Sequence, residues 1–358
     1  MTEDYSEKKI FIKSNYNYFD SNITTLLFGK RTCNPFISII IPTYNRDETL
    51  VKAVESALYQ ETDVRYEVIV IDNNDNPSDT KTLECLKESI NNDNFCYYKN
   101  TVNLGMTGNW NLAIQIANGE YIVILHDDDK LHSNYISTMA TIIQKRPNIG
   151  LISCLHREIS DEDLRGEELI LCNDVHEKKW FSDVNIKSSY INHEIHICGL
   201  LFNKEKAISI GGFDDYWYPC ADYVFEIKLL AQYGGVLCKM VLADYRILNN
   251  ESFKPEVAGR FPIVIYIAQG EINRLQKVLP SAISEQYRIV YLMEYENNLL
   301  DRWCKNTVQK EKLLCEFNGW RELYCIKNQK IWSRLSYKII KKAAKLYSYL
   351  FMRNEIYA

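Results

Sequence analysis

Three consecutive carboxylates follow a short apolar segment near the middle of the chain. The segment 121–125 is apolar and rich in β-formers, and His126, Asp127, Asp128 and Asp129 come directly after it. Adjacent carboxylates repel one another, so their place at the tip of a buried strand favours a bound cation, for which Mg²⁺ and Mn²⁺ prefer oxygen ligands. The alternative is a solvated acidic turn that caps the next helix. The residues alone leave both interpretations open.

The bulk composition is that of an ordinary globular protein. A formal net charge of −5 over 358 residues argues against a nucleic-acid-binding protein. The eleven cysteines show no CxxC pair and no zinc spacing, which is typical of reduced thiols in the cytosol. The acidic N-terminus is unlike a secretory signal peptide, and no segment approaches the roughly 18 apolar residues of a transmembrane helix. We therefore expect a cytoplasmic protein.

Apolar runs and helical patterns alternate along the first third of the chain. Strands buried on both faces appear as unbroken apolar runs, and their alternation with helices indicates βαβ units joined by right-handed crossovers. The predicted fold class is α/β, a Rossmann-like, doubly wound and mostly parallel sheet. Pro42 is expected to close the first strand, because proline cannot continue a central strand. The predicted strands are 36–41, 66–71, 95–98 and 121–125, and the predicted helices are 47–60, 79–90 and 107–117.

The pattern becomes looser after the Asp triplet and is entirely helical near the C-terminus. We expect three parts: an N-terminal extension over 1–35, the α/β domain over 36–255, and a C-terminal helical region over 256–358. The polar stretch 156–189 is expected to be a variable insertion. The other predicted strands are 149–154, 195–202 and 236–242, and the other predicted helices are 135–144, 204–210 and 222–233.

Several short motifs occur in a fixed order along the α/β domain. Together they resemble the family 2 glycosyltransferases, over roughly residues 36–251, and the resemblance implies the GT-A fold. The motifs are Ile41-Pro42-Thr43-Tyr44-Asn45-Arg46, Val70-Ile71-Asp72-Asn73-Asn74, Asn103-Leu104-Gly105, Asn118-Gly119-Glu120-Tyr121 with the Asp triplet, and Gly211-Gly212-Phe213-Asp214.

The resemblance implies a nucleotide-sugar donor at this edge of the sheet. A carboxylate at Asp72 can accept hydrogen bonds from a base or a ribose, and Tyr44 can stack on the base. The alternative for Asp72 is a helix cap or a loop-ordering residue. The helix that follows Gly105 presents N–H groups that favour phosphate. The residues expected to bind the donor are Pro42, Thr43, Tyr44, Arg46, Asp72, Asn103, Gly105, Asn111, Asp127 and Asp128.

The Asp triplet resembles the DXD motif of that family, which binds a divalent cation on the donor diphosphate. Many members carry the first acidic residue at the position of His126, so two registers are open. Either Asp127 with Asp129, or Asp128 with Asp129, would contact the metal. We favour Asp127 with Asp129 because side chains alternate along a strand. The expected cofactor is Mg²⁺ or Mn²⁺.

Asp222 is the residue we expect to act as general base. It opens a helix ten residues beyond Gly212, and the resemblance implies that it takes the proton of the acceptor hydroxyl. The alternative is an N-cap for that helix. Asp214 and Trp217 are expected to contact the acceptor, since aromatic faces suit sugar C–H surfaces.

Four positions depart from the family pattern. His126 stands where an acidic residue is usual, Trp110 where members often carry Arg, Ala221 where Glu is common, and Leu248 where a His is expected. Arg246, in the same late segment, is either a phosphate contact or a surface or salt-bridged arginine. The departures at Trp110, Ala221 and Leu248 keep a catalytically inactive sugar-binding or scaffold module of the same fold as an alternative.

Two other enzyme classes fit the sequence less well. A sugar nucleotidyltransferase shares the sheet and the metal logic, but it should show a glycine-rich basic loop where this chain has Pro42, Thr43 and Tyr44. A dinucleotide-dependent oxidoreductase would need GxGxxG after a strand, and that motif is absent.

The C-terminal segment 327–353 combines apolar residues at helical spacing with many lysines. A basic amphipathic helix suits an anionic membrane surface, as peripheral contact on the inner face of the cell membrane. The alternative is a helix that packs on the protein's own core or on a second subunit, so an oligomer is also open.

The expected function is that of an inverting glycosyltransferase in surface polysaccharide biosynthesis. It would move a sugar from a nucleotide-diphosphate sugar to a hydroxyl of a glycan or lipid-linked glycan. UDP-sugars are the first expectation for the donor and dTDP-sugars the second.

Overall fold

A computed structural model gives the fold for most of the chain. It describes residues 10, 16–46, 48–90, 92, 94–160, 180–192, 195–247, 252, 254–304, 306–323, 339–344 and 346. The strands are β1 (Thr24–Phe28), β2 (Ile37–Thr43), β3 (Tyr66–Asp72), β4 (Phe95–Asn100), β5 (Tyr121–Ile124), β6 (Lys130–Leu131), β7 (Leu151–Ser160), β8 (Phe181–Val184), β9 (Leu201–Asn203) and β10 (Gly235–Ile247).

Helices connect these strands and make up most of the C-terminal third. The helices are α1 (Glu48–Leu58), α2 (Lys81–Ser89), α3 (Gly105–Ile116), α4 (Tyr135–Lys145), α5 (Ile186–Asn192), α6 (Lys204–Ser209), α7 (Ala221–Tyr233), α8 (Pro255–Ala258), α9 (Phe261–Gln276), α10 (Ser281–Trp303) and α11 (Thr307–Leu323).

The described strands form one mixed sheet in the order β1-β4-β3-β2-β5-β9-β7-β10-β6, with β8 beside β10. The strands β4, β3, β2 and β5 are parallel neighbours, and β7 is parallel to β10. β9 lies antiparallel between β5 and β7, and β1 pairs antiparallel with β4 at one edge. The predicted α/β class and mostly parallel central sheet are therefore confirmed.

The sheet separates two hydrophobic cores, one on each of its faces. Along β2, Ile37, Ile39 and Ile41 contribute to one core and Ile40 to the other. Successive side chains of a strand point to opposite faces, so a strand covered on both faces must be apolar at every position. This requirement explains why the sequence shows unbroken runs here.

Pro42 does not close β2, contrary to the prediction. The strand continues to Thr43, whose carbonyl accepts from Asn73 N, while the carbonyl of Ile40 accepts from Leu125 N on the other side. Backbone groups alternate between the two neighbours, so the missing N–H of Pro42 faces the β5 side. Pairing with β5 has ended at Ile40, and the proline therefore breaks no ladder bond.

The strands in the polar second half of the domain have other bounds than predicted. β7 runs to Ser160, well beyond the predicted end at 154, and β10 extends from Gly235 to Ile247. The predicted strand 195–202 is reduced to β9. The expected insertion 156–189 contains the end of β7, all of β8 and the start of α5, while residues 161–179 of it lie outside the described part.

The C-terminal helices pack on the α/β part rather than apart from it. Apolar residues of α9 and α10 share one hydrophobic core with residues of α3 and α7. No helix among the described residues is both long and apolar enough to cross a membrane. Most of the basic segment 327–353 lies outside the described residues, so its membrane contact stays a prediction.

Candidate active site at the carboxyl edge of the sheet

The site lies where the chain order of the sheet reverses. Strand order proceeds from β2 to β3 and β4 on one side, and β5 lies on the other side of β2. Ligands of open α/β sheets bind in the crevice at such a point, beyond the carboxyl ends of the strands. Thr43 ends β2 and the Asp triplet follows β5. The Thr43 hydroxyl donates to Asp127 Oδ2 over 2.8 Å and joins the two strand ends.

Arg46 lies in the first loop of this crevice and faces the triplet. Its guanidinium donates to Asp128 Oδ2 over 2.6 Å, and its Nε lies 3.9 Å from Asp127 Oδ1. Arg46 is about one-third exposed, so it can move. In the structure it neutralises part of the carboxylate charge that the sequence places here.

The Asp triplet forms a tight turn after β5 instead of continuing the strand. The backbone N–H of Asp129 bonds back to the carbonyl of His126, so strand alternation does not apply to these residues. Ligand atoms of His126, Asp128 and Asp129 all lie within 4.8 Å of one another. Asp127 faces Thr43 instead. This geometry favours the second register, Asp128 with Asp129, and adds an imidazole.

Asp129 shows that this group fits a cation. The residue is 1% exposed. Its Oδ1 accepts from the backbone N–H of Arg246 over 3.0 Å, whereas Oδ2 has no hydrogen-bond partner among the described residues. The nearest charged neighbour of Oδ2 is His126 Nδ1 at 3.3 Å, a long contact, and a buried carboxylate oxygen held so weakly is stabilised by a ligand or ion. The residues His126, Asp128 and Asp129 therefore form a donor set suited to a divalent cation.

His126 links this acidic turn to an aromatic wall. Its Nδ1 lies 3.3 Å from Asp129 Oδ2, and its ring stacks on Trp110 with centroids 5.6 Å apart and planes at 22°. Burial disfavours the charged imidazole. The approach of Asp129 and the charges of Asp128 and Asp127 outweigh that effect and raise the pKa of His126 to about 9.

The carboxyl groups of the turn are held in an environment that disfavours their charge. Burial and the neighbouring Asp128 raise the pKa of Asp127 to about 6, against the opposing effects of Thr43 and Arg46. Burial and Asp129 likewise raise the pKa of Asp128. A cation bound to this turn would offset the burial and the charge repulsion that raise the pKa values of Asp127 and Asp128.

Asp72 ends β3 but is fully engaged by protein groups. Its Oδ2 accepts from Tyr97 OH over 2.5 Å and from Lys99 Nζ over 2.6 Å, while Oδ1 accepts from Asn74 N. Asp72 is 1% exposed and Lys99 is 3% exposed. The geometry is that of a loop-ordering carboxylate. Contact of Asp72 with a nucleotide stays a prediction.

Polar residues of the predicted donor site bind one another in the loop before α3. Asn103 Oδ1 accepts from Asn73 and from Gly105 N, and its amide donates to Asp75 Oδ1. The Tyr44 hydroxyl donates to Asp75 Oδ2 over 2.7 Å. Tyr44 is 46% exposed, so its ring is open to a stacking partner. The structure brings Tyr44 and Asn103 together around Asp75.

The backbone of this loop depends on a glycine, whereas Asn111 works elsewhere. Gly105 has φ +70° at the start of α3 and has open space around its Cα. The Asn111 side chain exchanges hydrogen bonds with the backbone of Phe213 over 2.8 and 2.9 Å. Asn111 therefore fixes the Gly211-Gly212-Phe213 turn to α3, and its contact with a donor stays a prediction.

Asp222 lies in the first turn of α7. The helix begins at Ala221, so Asp222 is inside the helix and not at its N-cap. One oxygen accepts from Tyr223 N over 2.8 Å. Burial raises the pKa of Asp222, and the charge of His126 opposes that shift. The helix α7 packs toward the donor side of the crevice, because its Phe225 stacks on Phe213 at a centroid distance of 4.0 Å and Phe213 contacts the Trp110 that stacks on His126. The role of Asp222 as a base stays a prediction.

The two residues predicted to touch the acceptor have structural contacts. Asp214 accepts from Tyr216 N and caps a short 3-10 turn over Asp215–Trp217. Trp217 is 1% exposed and belongs to the core below α7. Their contact with an acceptor stays a prediction, and buried Trp217 offers no open face in this conformation.

Arg246 and Asp244 lie on β10, behind the acidic turn. The Arg246 side chain is 1% exposed, which excludes the surface alternative. Asp244 accepts from Arg157 over 3.0 and 2.9 Å and lies 3.1 Å from His132 Nε2. Although burial raises it, these two partners lower the pKa of Asp244 overall. Leu248 lies outside the described residues.

In the sequence, His126 and Trp110 stand out only as departures from the family pattern. In the structure they stack on each other, and Phe213 makes an edge contact with Trp110 at a centroid distance of 4.9 Å. The signal that could have paired them was their joint occurrence, since two departures from one family pattern are candidates for contact.

Comparison with known proteins gives the family and the fold. Residues 38–210 match the model of glycosyl transferase family 2. An uncharacterized glycosyltransferase of Methanocaldococcus jannaschii is 27% identical over 61% of this chain and 73% of its own length. The GalNAc(5)-diNAcBac-PP-undecaprenol beta-1,3-glucosyltransferase of Campylobacter jejuni is 35% identical over 29% of this chain. The chain spans only 33% of that second relative.

A solved structure supports the fold assignment. The crystal structure of S. aureus TarS 1-349 in complex with UDP-GlcNAc superposes with a TM-score of 0.54 at 17% sequence identity, covering 80% of each chain. At this identity the likeness speaks for the fold and not for the substrate. The motifs, the matched region and the shared architecture agree, and the chain carries a glycosyltransferase family 2 domain with the GT-A fold.

Proposed function

We propose that this chain is an inverting, metal-dependent glycosyltransferase. It transfers a sugar from a nucleotide-diphosphate sugar, a UDP-sugar first, to a hydroxyl of a glycan or a lipid-linked glycan. The observation that carries the proposal is the cluster of His126, Asp128 and Asp129 at the carboxyl edge of the sheet. The helix of Asp222 supports it, because Phe225 of that helix packs through Phe213 on the Trp110 that stacks on His126. Direct displacement at the anomeric carbon needs a general base for the acceptor hydroxyl and a metal-binding carboxylate cluster for the leaving diphosphate. The proposal assigns both to one crevice.

The base chemistry follows from the environment of Asp222. A sugar hydroxyl is a poor nucleophile until a base accepts its proton during attack, an effect typically worth about 10²–10⁴-fold in rate. Burial raises the pKa of Asp222, which makes its carboxylate a better proton acceptor than a solvated one. Attack from the Asp222 side, opposite the leaving diphosphate, inverts the anomeric carbon.

The donor side uses the acidic turn and the first loop. Asp128, Asp129 and His126 would hold a divalent cation, which neutralises the charge that develops on the leaving diphosphate. Arg46 now pairs with Asp128 and is partly exposed. It would be released toward phosphate oxygens when the cation takes over the carboxylate. The exposed ring of Tyr44 would stack on the base of the nucleotide.

Comparisons support the substrate classes. TarS, which shares the fold, was crystallised with UDP-GlcNAc, so UDP is the first nucleotide to test and dTDP the second. The Campylobacter relative is named for an undecaprenol-linked substrate, which supports a lipid-linked glycan acceptor and a role in surface polysaccharide assembly. Membrane contact through the basic C-terminal segment would suit such an acceptor.

A thermal-shift screen with UDP, dTDP, GDP and CMP, each with and without Mn²⁺, tests the donor site. A nucleotide at one hundred times its Kd should stabilise the fold by about 2.7 kcal/mol. We expect one nucleotide to raise Tm, more strongly with Mn²⁺, and Asp129→Ala to remove the metal-dependent part. The matched control Asp63→Ala changes an exposed carboxylate. No shift with any nucleotide would contradict the proposal and favour an inactive module.

A further inference from the structure

Three loops at the carboxyl edge of the sheet meet at one exposed carboxylate, that of Asp75. Its Oδ2 accepts from the Tyr44 hydroxyl over 2.7 Å, and its Oδ1 accepts from the Asn103 amide over 2.7 Å. Tyr44 follows β2, Asp75 follows β3, and Asn103 lies between β4 and α3. Asp75 therefore joins the loops that follow three neighbouring strands. It is not among the residues that the family resemblance implies for the donor site.

The Asn103 side of this junction is tied to the core by buried amides. Asn103 Oδ1 accepts from Asn73 Nδ2 over 2.8 Å, and Asn73 Oδ1 accepts from Asn100 Nδ2 over 3.0 Å. Asn100 is 0% exposed and also donates to Asn109 of α3 over 2.8 Å. A chain of hydrogen bonds thus runs from the interior to the Asp75 carboxylate, and such networks stiffen the segments that they join.

The Tyr44 side of the junction is open to solvent. Tyr44 is 46% exposed, and Asp75 is exposed as well. Exposed side chains change rotamer within picoseconds to nanoseconds. The bond to Asp75 engages the hydroxyl at the tip of the ring, and a charged acceptor makes such a bond stronger than a neutral one. The carboxylate therefore restricts the motion of the ring without covering its faces.

We infer that Asp75 is a positioning residue that holds the Tyr44 ring in the orientation on which the base of the nucleotide stacks. The inference rests on the proposed function, which places the base on Tyr44. A ring that is already oriented loses less rotamer freedom when a ligand binds, and the affinity rises accordingly. Asp75 acts through Tyr44 and needs no contact with the nucleotide. Its effect therefore belongs to the base and is the same for a nucleoside and for a nucleotide.

The charge of Asp75 provides the alternative explanation for any effect on binding. A carboxylate at this edge would repel a diphosphate. Its removal would then strengthen the binding of UDP and leave the uncharged nucleoside uridine unaffected. The positioning role predicts the opposite sign, namely weaker binding of both ligands by the same factor.

Calorimetric titrations of the full chain with uridine, and with UDP in the presence of Mn²⁺, test the inference. If the thermal-shift screen selects another nucleotide, that nucleotide and its nucleoside take their place. Asp75→Ala should raise both Kd values about threefold to tenfold, the range that one hydrogen bond accounts for. The matched control Asp63→Ala removes another exposed carboxylate and should change neither Kd. Without nucleotide, the two variants should have the same Tm, because the Asp75 carboxylate is exposed.

A double-mutant cycle shows whether Asp75 acts through the Tyr44 hydroxyl. Tyr44→Phe keeps the ring and removes the hydroxyl that Asp75 holds, so it should also raise the Kd of uridine. Because both substitutions break the same hydrogen bond, the double variant Tyr44→Phe/Asp75→Ala should bind uridine no more weakly than Asp75→Ala alone. Two independent contributions would instead multiply in the double variant.

The outcomes distinguish the positioning role from the proposed function. An unchanged Kd of the nucleoside in Asp75→Ala would overturn the positioning role, and so would multiplied effects in the double variant or stronger binding of UDP. Each of these results would leave a nucleotide-binding wild type, and with it the proposed function, intact. A wild type that binds no nucleotide of the screen would overturn the proposed function itself.

Discussion

At the scale of single residues, the site is decided by partners that lie far apart in the sequence. Asp129 keeps one oxygen without a hydrogen-bond partner in the described structure, although it is 1% exposed. Asp72 has the same burial, yet three donors satisfy it. Two aspartates at the same edge of the sheet thus differ in what they can still bind. Asp129, whose Oδ2 has only the 3.3 Å contact with His126, suits a cation better than Asp72.

The residue-level site was predictable in outline because parallel strands end at one edge. Thr43, Asp72 and the triplet each follow a strand of this set, so the sequence places them near one another. The sequence could not show that Lys99 reaches Asp72, because that contact depends on the register of β4 against β3. It also could not choose the register of the triplet, because the turn that follows β5 has no periodicity.

The first prediction concerns the base. Asp222→Asn should lower kcat by about 10²–10⁴-fold, because an amide cannot accept the acceptor proton. Nucleotide binding should persist, since Asp222 contacts no residue of the first loop among its recorded bonds. Steady-state kinetics and a nucleotide thermal shift measure the two effects. The control Asp63→Asn alters an exposed carboxylate elsewhere, and a kcat in Asp222→Asn equal to that of the control would remove Asp222 from the mechanism.

The second prediction concerns the imidazole of the acidic turn. Imidazole suits transition metals, whereas a third carboxylate suits Mg²⁺. His126→Asp should therefore lower the ratio of Mn²⁺ affinity to Mg²⁺ affinity about tenfold. Electron paramagnetic resonance of Mn²⁺, with Mg²⁺ as competitor, measures this ratio without turnover.

His126→Asn provides the control for the second prediction, because it removes the imidazole without adding charge. It should weaken Mn²⁺ binding and leave Mg²⁺ binding nearly unchanged. Equal Mn²⁺-to-Mg²⁺ ratios in the wild type and in both variants would exclude His126 as a ligand.

At the scale of elements, the apolar strand centres were predictable from the sequence, whereas the ends of the polar strands were not. The apolar runs of β2, β3 and β5 were predictable, because burial on both faces demands them. β7 and β10 extend further than predicted, because they pair with each other from Gly235 to Ile247 while carrying polar residues such as Arg157 and Asp244. A paired polar strand leaves no apolar run, so the sequence pattern underestimates its length.

The third prediction concerns the ion pair that joins the tips of β3 and β4. Lys99→Met should destabilise the protein by about 3–5 kcal/mol, because it leaves the Asp72 carboxylate buried without its cation. Urea unfolding measures the change in the free energy of unfolding. Lys52→Met on the exposed face of α1 is the matched control. A loss equal to that of the control would show that Asp72 does not depend on Lys99.

The fourth prediction concerns pH and the contact between α10 and α11. Glu296 is 4% exposed and pairs with Arg321. Burial outweighs Arg321 and raises the pKa of Glu296 from 4.5 to about 7. Between these values the unfolded chain has released a proton that the folded protein still holds, so stability must fall as the pH rises through this window.

Comparison with Glu296→Gln isolates this contribution. The wild type should lose about 1–3 kcal/mol of stability relative to the variant between pH 5 and pH 8, since one pKa unit corresponds to about 1.4 kcal/mol. Urea unfolding across that range measures the difference in slope. Glu285→Gln, at an exposed position of α10, should show the wild-type slope. If the free energy of unfolding of the wild type changed with pH in parallel with that of Glu296→Gln, the raised pKa of Glu296 would be contradicted.

At the scale of the whole molecule, the sequence suggested three consecutive parts, and the structure shows how their residues pack together. β1, from the expected N-terminal extension, pairs with β4 and lengthens the sheet. Ile263 and Val264 of α9 share a core with Phe225 of α7. Composition could locate the change to helices near residue 255, but it could not show which apolar surface the helices would cover.

The fifth prediction follows from this shared core. The helix α7 carries the proposed base and is covered by α9 and α10, so loss of those helices would expose its apolar face to water. The full chain should therefore unfold in one cooperative transition, with coincident curves for tryptophan fluorescence and far-ultraviolet circular dichroism. A chain that ends at residue 255 should lose that transition and bind the hydrophobic dye ANS. Two separate transitions in the full chain, or a truncated chain that unfolds cooperatively, would show that the α/β part is stable alone.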